Sequence, residues 1–197
     1  VDALLLDFDG PVCRMFAGTP ASEIAATLAH MAEMSPKDDP LEVLRWVGEN
    51  RDPATTAKID DALTAAEITA AQSATPTPYA ETVFEIAQNR RIPIAVVSNN
   101  SAAAIEVYLA KHGLTAAVVI GRPYAEPWRM KPDPSPLHEA LAALGKARGT
   151  MIGDSPTDIT AARAAGVPVI GYANRPAKID SLKHADTVIT SMGDVFS

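Results

Sequence analysis

Short apolar runs and longer stretches of helical periodicity alternate along most of this chain. Runs at Ala3–Phe8, Ile92–Val97, Ala116–Ile120, Thr150–Ile152, Val167–Ile170 and Thr187–Ile189 predict six strands. Helices are expected over Tyr79–Gln88, Ala102–His112, Pro136–Leu144 and Thr157–Ala165, with a short one near Lys178–His184. Gly113, Gly145 and Gly166 fall just past three of these stretches, where a left-handed cap favours glycine. Strands that alternate with helices of roughly ten residues signal βαβ units, so the expected fold is α/β with a doubly wound parallel sheet.

Residues 14–77 break this rhythm. They are Ala-rich and helical, with Pro-bounded segments at Pro20–Met34, Pro40–Glu49 and Pro53–Ser73 and no strand signal. An all-helical insertion after the first strand would form a small cap over the carboxyl edge of the sheet. Pro76 and Pro78 read as the returning hinge. The expected organisation is a Rossmann-like core from residues 1–13 and 78–197 and a helical cap from residues 14–77.

Composition adds bounds but little chemistry. The chain has 197 residues, 47% of them hydrophobic and 21% charged, which is ordinary for one globular unit with an insertion. A single cysteine, Cys13, excludes an internal disulfide and a Cys-based structural zinc site, and packing is its expected role. The net charge of −7 argues against a dedicated nucleic-acid binder. No apolar run approaches the roughly 18 residues of a membrane span. Val1–Leu6 has no basic region or small-residue cleavage site and does not read as a signal peptide, so a cytoplasmic protein is expected. A monomer and a homodimer fit the sequence equally well.

Three candidate strands end in polar residues: Asp7-Phe8-Asp9-Gly10, Ser98-Asn99-Asn100 and Gly153-Asp154-Ser155-Pro156-Thr157-Asp158. Ligands of open α/β sheets bind outside the carboxyl ends of the strands, so these groups should converge. Met130-Lys131-Pro132-Asp133-Pro134 could bring a cation to the same edge. Gathering Asp7, Asp9, Asp154 and Asp158 is costly unless a cation neutralises them. An all-oxygen set favours a hard ion, Mg²⁺. Lys131 and the Ser98 hydroxyl would then hold anionic oxygens, which makes a phosphoryl-transfer site. The simpler readings are that Ser98–Asn100 cap the helix beginning near Ala102, that Asp133 is a turn residue, and that Asp158 is a first-turn acid. His30, His112, His138 and His184 lack ligand spacing and read as structural or surface residues. Trp46 and Trp128 read as core, and Arg45 and Arg51 as solvated helix charges with an anionic substrate as the alternative.

With these motifs in order, the chain resembles the haloacid dehalogenase (HAD) superfamily, in its phosphatase branch with a helical cap after the first strand. The resemblance implies that Asp7 is the nucleophile and Asp9 the general acid and base. It implies Mg²⁺ on the Asp7 carboxylate, the Asp9 carbonyl and Asp154, with Asp158 on the metal's water or on Lys131. Ser98 and the Asn99 backbone amide would bind the phosphoryl group, and Lys131 would neutralise it. The implied activity is hydrolysis of a small-molecule phosphate monoester. A phosphomutase of the same fold and a non-catalytic phosphoryl- or metal-binding module are the alternatives. Pro11 departs from the Thr or Val usual in the family, and it would weaken the turn if an amide were needed there.

Overall fold

The computed structural model describes all residues, 1–197. In chain order it has β1 (Leu4–Leu6), β2 (Cys13–Arg14), α1 (Ala21–Met31), α2 (Pro40–Asn50), α3 (Pro53–Ser73) and β3 (Thr75–Pro76). These are followed by α4 (Ala80–Asn89), β4 (Ile94–Val97), α5 (Ala102–Lys111), β5 (Val118–Ile120), a 3-10 turn (Pro127–Arg129) and α6 (Ser135–Ala143). The chain closes with β6 (Thr150–Gly153), α7 (Pro156–Ala164), β7 (Val169–Tyr172), α8 (Lys178–Ser181), β8 (Thr187–Ile189) and a second 3-10 turn (Met192–Asp194).

Six of the strands form one sheet in the order β5-β4-β1-β6-β7-β8, and every pairing in it is parallel. The chain winds from β1 outward to β5, then crosses over and winds the other way from β6. The reversal falls between β1 and β6, which pair from Leu4↔Thr150 to Leu6↔Ile152. At such a switch point the two neighbouring connections leave in opposite directions and open a crevice at the strand ends. The all-apolar β1 is explained by its position: it is central and covered on both faces. Leu4 and Leu6 pack with Val96, Ile105 and Tyr108 on one face, whereas Leu5 packs with Val97, Leu137 and Met151 on the other.

Helices α1–α3 enclose a separate core of Ile24, Leu28, Val43, Leu44, Ile59 and Leu63. Asp52 starts α3 by accepting from Thr55 N–H at 2.9 Å, with Pro53 at the first helical position. The far end of α3 leaves this lobe: Ala70 and Ala71 belong to the sheet core. The two connecting segments pair as an antiparallel ribbon, Cys13↔Pro76 and Arg14↔Thr75. No helix is long and apolar enough to cross a membrane.

Several local expectations shift. Strand β7 runs two residues later than the apolar run Val167–Ile170, because Pro168 has no N–H for a ladder and Gly171 sits against Leu182. The first cap helix stops at Met31, and Glu33 turns back with a positive φ. Trp128 is not core: it is 64% exposed on the 3-10 turn. Cys13 is buried at the ribbon, and Gly113, Gly145 and Gly166 all adopt the left-handed conformation.

Candidate active site

The turn after β1 carries Asp7 and Asp9. Gly10 N–H donates to Cys13 O at 2.7 Å, and the amides of Val12 and Cys13 both donate to Phe8 O at 3.2 Å. None of these bonds calls on an N–H at residue 11, so Pro11 fits without rebuilding the turn. Gly10 has φ +114°, and a Cβ there would lie 2.4 Å from the Asp154 carboxyl carbon. The turn therefore needs glycine for conformation and for space. Pro11→Ala is expected to lower stability by about 0.4–1 kcal/mol, through the freer unfolded chain, and to leave the site intact. Urea unfolding checks this, and a loss several times larger would show that the ring is needed in the fold.

Asp7, Lys131 and Asp158 form the centre. Lys131 is buried, and its Nζ donates to Asp158 Oδ1 at 2.6 Å, to Asp7 Oδ1 at 3.0 Å and to Val97 O at 2.8 Å. Three acceptors use all three ammonium protons. Burial alone would lower the Lys131 pKa, but Asp158 and Asp7 outweigh it and raise it. Asp7 shares the lysine with the closer Asp158. Burial, with repulsion from Asp158, raises its carboxyl from the ordinary range to about 7. Burial likewise lifts Asp9 to about 6, against a hydrogen bond at 2.9 Å from Met15 N–H to its Oδ1. Asp154, half-buried at the end of β6, rises to about 6 by burial despite an ion pair with Lys178.

These raised values bear on whether a cation fits. The carboxylate oxygens of Asp7, Asp154 and Asp158 lie within 4.8 Å of one another. The donors are all hard oxygens, and their mutual repulsion is what a divalent ion would relieve. Asp158 is the least free of them. Its Oδ1 accepts from Lys131, and its Oδ2 accepts from the amides of Asp154 and Ser155, both at 3.1 Å, and from Ser155 Oγ at 2.7 Å. With Ser155 it makes the capping box of α7. The first-turn role expected of Asp158 is thus present together with its contact to Lys131.

The loop after β4 supplies the third side. Ser98 is buried, its N–H donating to Ile120 O at 2.9 Å and its Oγ accepting from Asn100 N–H at 3.2 Å. The Asn99 side chain grips the Lys131 backbone both ways: its Nδ2 donates to Lys131 O at 3.0 Å, and Lys131 N–H donates to its Oδ1 at 2.9 Å. The cap of α5 is not Ser98–Asn100 but Ser101, whose hydroxyl accepts from Ala104 N–H. Asp133 accepts from Ser135 N–H at 2.8 Å and is a turn residue, as expected.

A cleft of about 400 Å³ brings together Asp7, Asp9, Ser98, Asn99, Lys131, Asp154 and Asp158, every residue expected from the sequence. Arg45 of α2 joins them, its Nη2 donating to Lys131 O at 2.8 Å. Arg51 does not: it stacks on Trp46 and donates to the Ala32 and Glu33 carbonyls. Sequence reasoning missed Lys178 and a buried group made by Asp60, Thr64 and Glu67 of α3 with Arg122. A signal was present for the α3 half alone, since positions 60, 64 and 67 share a face of that helix.

Comparison with known proteins supplies the family. The family model for haloacid dehalogenase-like hydrolases matches residues 1–166. The chain is a haloacid dehalogenase-like hydrolase. It is 37% identical over 114 residues to a phosphoglycolate phosphatase of Cupriavidus necator, covering 49% of this chain and 48% of the relative. It is 45% identical over 71 residues to a phosphoglycolate phosphatase of Rhodospirillum rubrum, covering 32% of this chain and 29% of that one. The matched segments thus span half or less of these relatives' own lengths. Among solved structures, CbbY from Rhodobacter sphaeroides in complex with phosphate superposes with a TM-score of 0.77 at 18% identity, covering 100% of this chain and 96% of that one. The β-phosphoglucomutase of Clostridium difficile gives 0.78 at 16% identity, covering 99% and 93%. These two share the fold of this hydrolase.

Proposed function

We propose that this hydrolase is a Mg²⁺-dependent phosphatase that cleaves small phosphate monoesters through an aspartyl-phosphate on Asp7. The observation that carries the reading is the buried Lys131 ammonium held against both Asp7 and Asp158 at the switch point of the sheet. A surface lysine needs no such enclosure, whereas a site for a transferring phosphoryl group does.

An Asp7 carboxylate oxygen attacks phosphorus in line, forming the acyl-phosphate bond as the ester P–O bond breaks. Asp9, lifted to about 6 by burial, keeps its proton in a minority of molecules at neutral pH, and in that form gives it to the departing alkoxide. As carboxylate it then takes a proton from the water that attacks phosphorus and releases Asp7. Ser98 Oγ and the Asn99 amide hold the phosphoryl oxygens, while Lys131 balances charge on Asp7 and the phosphoryl group. Mg²⁺ bound by Asp7, Asp154 and the Asp9 carbonyl would supply Lewis-acid neutralisation of the phosphate. Asp158, with its oxygens committed to Lys131 and α7, positions the lysine.

The substrate class follows from what the helical insertion adds. Of the cleft residues contributed by α1–α3 and their connections, Arg45 is the one cation. It would pair with an acidic group on the alcohol half of the ester, in keeping with the phosphoglycolate phosphatases among the relatives. Phosphate release from a panel of monoesters, with Mg²⁺ and with EDTA, tests the reading. Metal-dependent release is expected, with acid-bearing esters preferred over neutral ones of the same size. Isomerised phosphate esters without net release would establish a mutase instead, and neither product from folded, Mg²⁺-loaded protein would leave a non-catalytic binding module.

A further inference from the structure

A buried ionic group borders the cleft through Glu67, and the mechanism above does not use it. Arg122, on the loop after β5, donates through Nε to Asp60 Oδ1 at 2.8 Å and through Nη1 to Glu67 Oε1 at 2.8 Å. Its Nη2 reaches Thr64 Oγ1 at 3.0 Å. The three charged side chains are each 1–2% exposed. Removing such charges from water costs several kcal/mol per ion unless each is paired and hydrogen-bonded. Here they are, and their bonds do not stop at one another.

Glu67 accepts from Asn100 Nδ2 at 3.1 Å and from Ser101 N–H at 3.0 Å. The second of these satisfies an amide at the start of α5 that the helix itself cannot. Arg122 Nη1 also donates to Asn99 O at 3.1 Å. Asn100 in turn bonds Ser98 Oγ, and Asn99 grips the backbone of Lys131. Two residues from other elements therefore hold every member of the Ser98–Ser101 loop, directly or through one neighbour.

We infer that Glu67 and Arg122 are positioning residues that hold the Ser98–Ser101 loop, and through Asn99 the Lys131 backbone, in the geometry for phosphoryl transfer. The inference rests on the phosphatase reading for its consequence, though not for the tether itself. Neither residue is free to act on substrate. Both Glu67 oxygens are engaged by Arg122, Asn100 and Ser101, and the guanidinium is spent on Asp60, Thr64, Glu67 and Asn99. Glu67 nevertheless borders the cleft, so its position is transmitted to the site without an intervening layer. Because Asp60 and Glu67 lie on α3, the helical insertion takes part in shaping the phosphoryl pocket.

The test uses Glu67→Gln and Arg122→Lys, with hydrogen exchange and steady-state kinetics on the whole chain. In the first variant the glutamine side chain keeps the shape, but in either orientation its NH2 group meets donors, those of Ser101 and Arg122 or those of Asn100 and Arg122. In the second the ammonium keeps the charge but cannot reach Asp60, Glu67 and Asn99 together. Faster exchange is expected in the segment from Asn99 to Ala104, with exchange in β1 and β6 unchanged. On the substrate found above, kcat should fall by about tenfold to a hundredfold, the scale of a displacement of about 1 Å. Mg²⁺ affinity should be retained, since its candidate ligands lie elsewhere. A merely structural pair would lower the melting temperature and leave loop exchange and kcat in the folded protein at wild-type values. That result in either folded variant overturns the inference. If the wild-type chain releases no phosphate, the phosphatase reading fails, and the exchange data still decide whether the tether exists.

Discussion

Asp7→Asn is expected to reduce phosphate release by more than about 10⁴-fold, since loss of a nucleophile removes the covalent route and not merely one stabilising contact. The substitution keeps the size of the side chain and one oxygen that can accept from Lys131 Nζ, now 3.0 Å from Asp7 Oδ1. Folding should therefore survive. It should even gain in metal-free protein at neutral pH, because the carboxyl that burial and Asp158 lift to about 7 is gone. Two measurements separate chemistry from folding: phosphate release under saturating Mg²⁺, and mass spectrometry of acid-quenched enzyme for a phosphorylated Asp7. Wild type should show the adduct and Asp7→Asn should not. Residual activity above about one per cent in the variant would rule out Asp7 as the nucleophile.

Lys131→Met should damage both stability and turnover. Methionine fills much of the space but leaves Asp7 and Asp158 buried with no counter-charge, and leaves Val97 O without the donor now at 2.8 Å. Breaking a buried ion pair from one side costs about 3–5 kcal/mol. The loss should depend on pH, with a sign set by Asp7. Its folded carboxyl already lies above the unfolded value, and Lys131 is the attraction that holds it down. Without the lysine it rises further. Below the unfolded value of about 4 Asp7 is protonated in both states and the fold is not penalised; as pH rises from there through the folded value, folding must take up a proton and this stability is lost. Urea unfolding should show a deficit near pH 8 that shrinks toward pH 5. A deficit below about 1 kcal/mol at both pH values would show that the ion triad does not hold the site together. Turnover should fall by about 10²–10³-fold, the usual cost of removing one preorganised donor from developing negative charge.

The parts of this protein that could be read without coordinates are those decided within a few residues. An apolar run ending in Asp7-Phe8-Asp9-Gly10 needs only its own pattern to be a buried strand followed by a turn. The same holds for Ser98 after Ile94–Val97 and for Asp154 after Thr150–Gly153. Parallel topology then sends all three strand ends to one edge. That is why every expected site residue lines one cleft.

What stayed hidden depends on partners distant in sequence. Arg122 is separated by 55 residues from Glu67, and nothing local marks it as a buried pair rather than a loop charge. The ribbon of Cys13–Arg14 and Thr75–Pro76 is too short to show a two-residue period. Trp128 reads as core because a large apolar ring usually is, and only the path of the loop before Lys131 leaves it in solvent.

Sequence by itself therefore determined the sheet, the order of the acidic motifs, the hard-oxygen character of the site and the family. These follow from periodicity and residue type, which act over one turn or one strand. Tertiary structure alone decided that Asp158 spends its carboxylate on Lys131 and α7, that Arg45 reaches the cleft while Arg51 does not, and that Glu67 of α3 bonds Arg122 and the loop after β4. Each of these depends on which charges are desolvated together. Desolvation is a property of the packed volume around a group, and no stretch of sequence carries it.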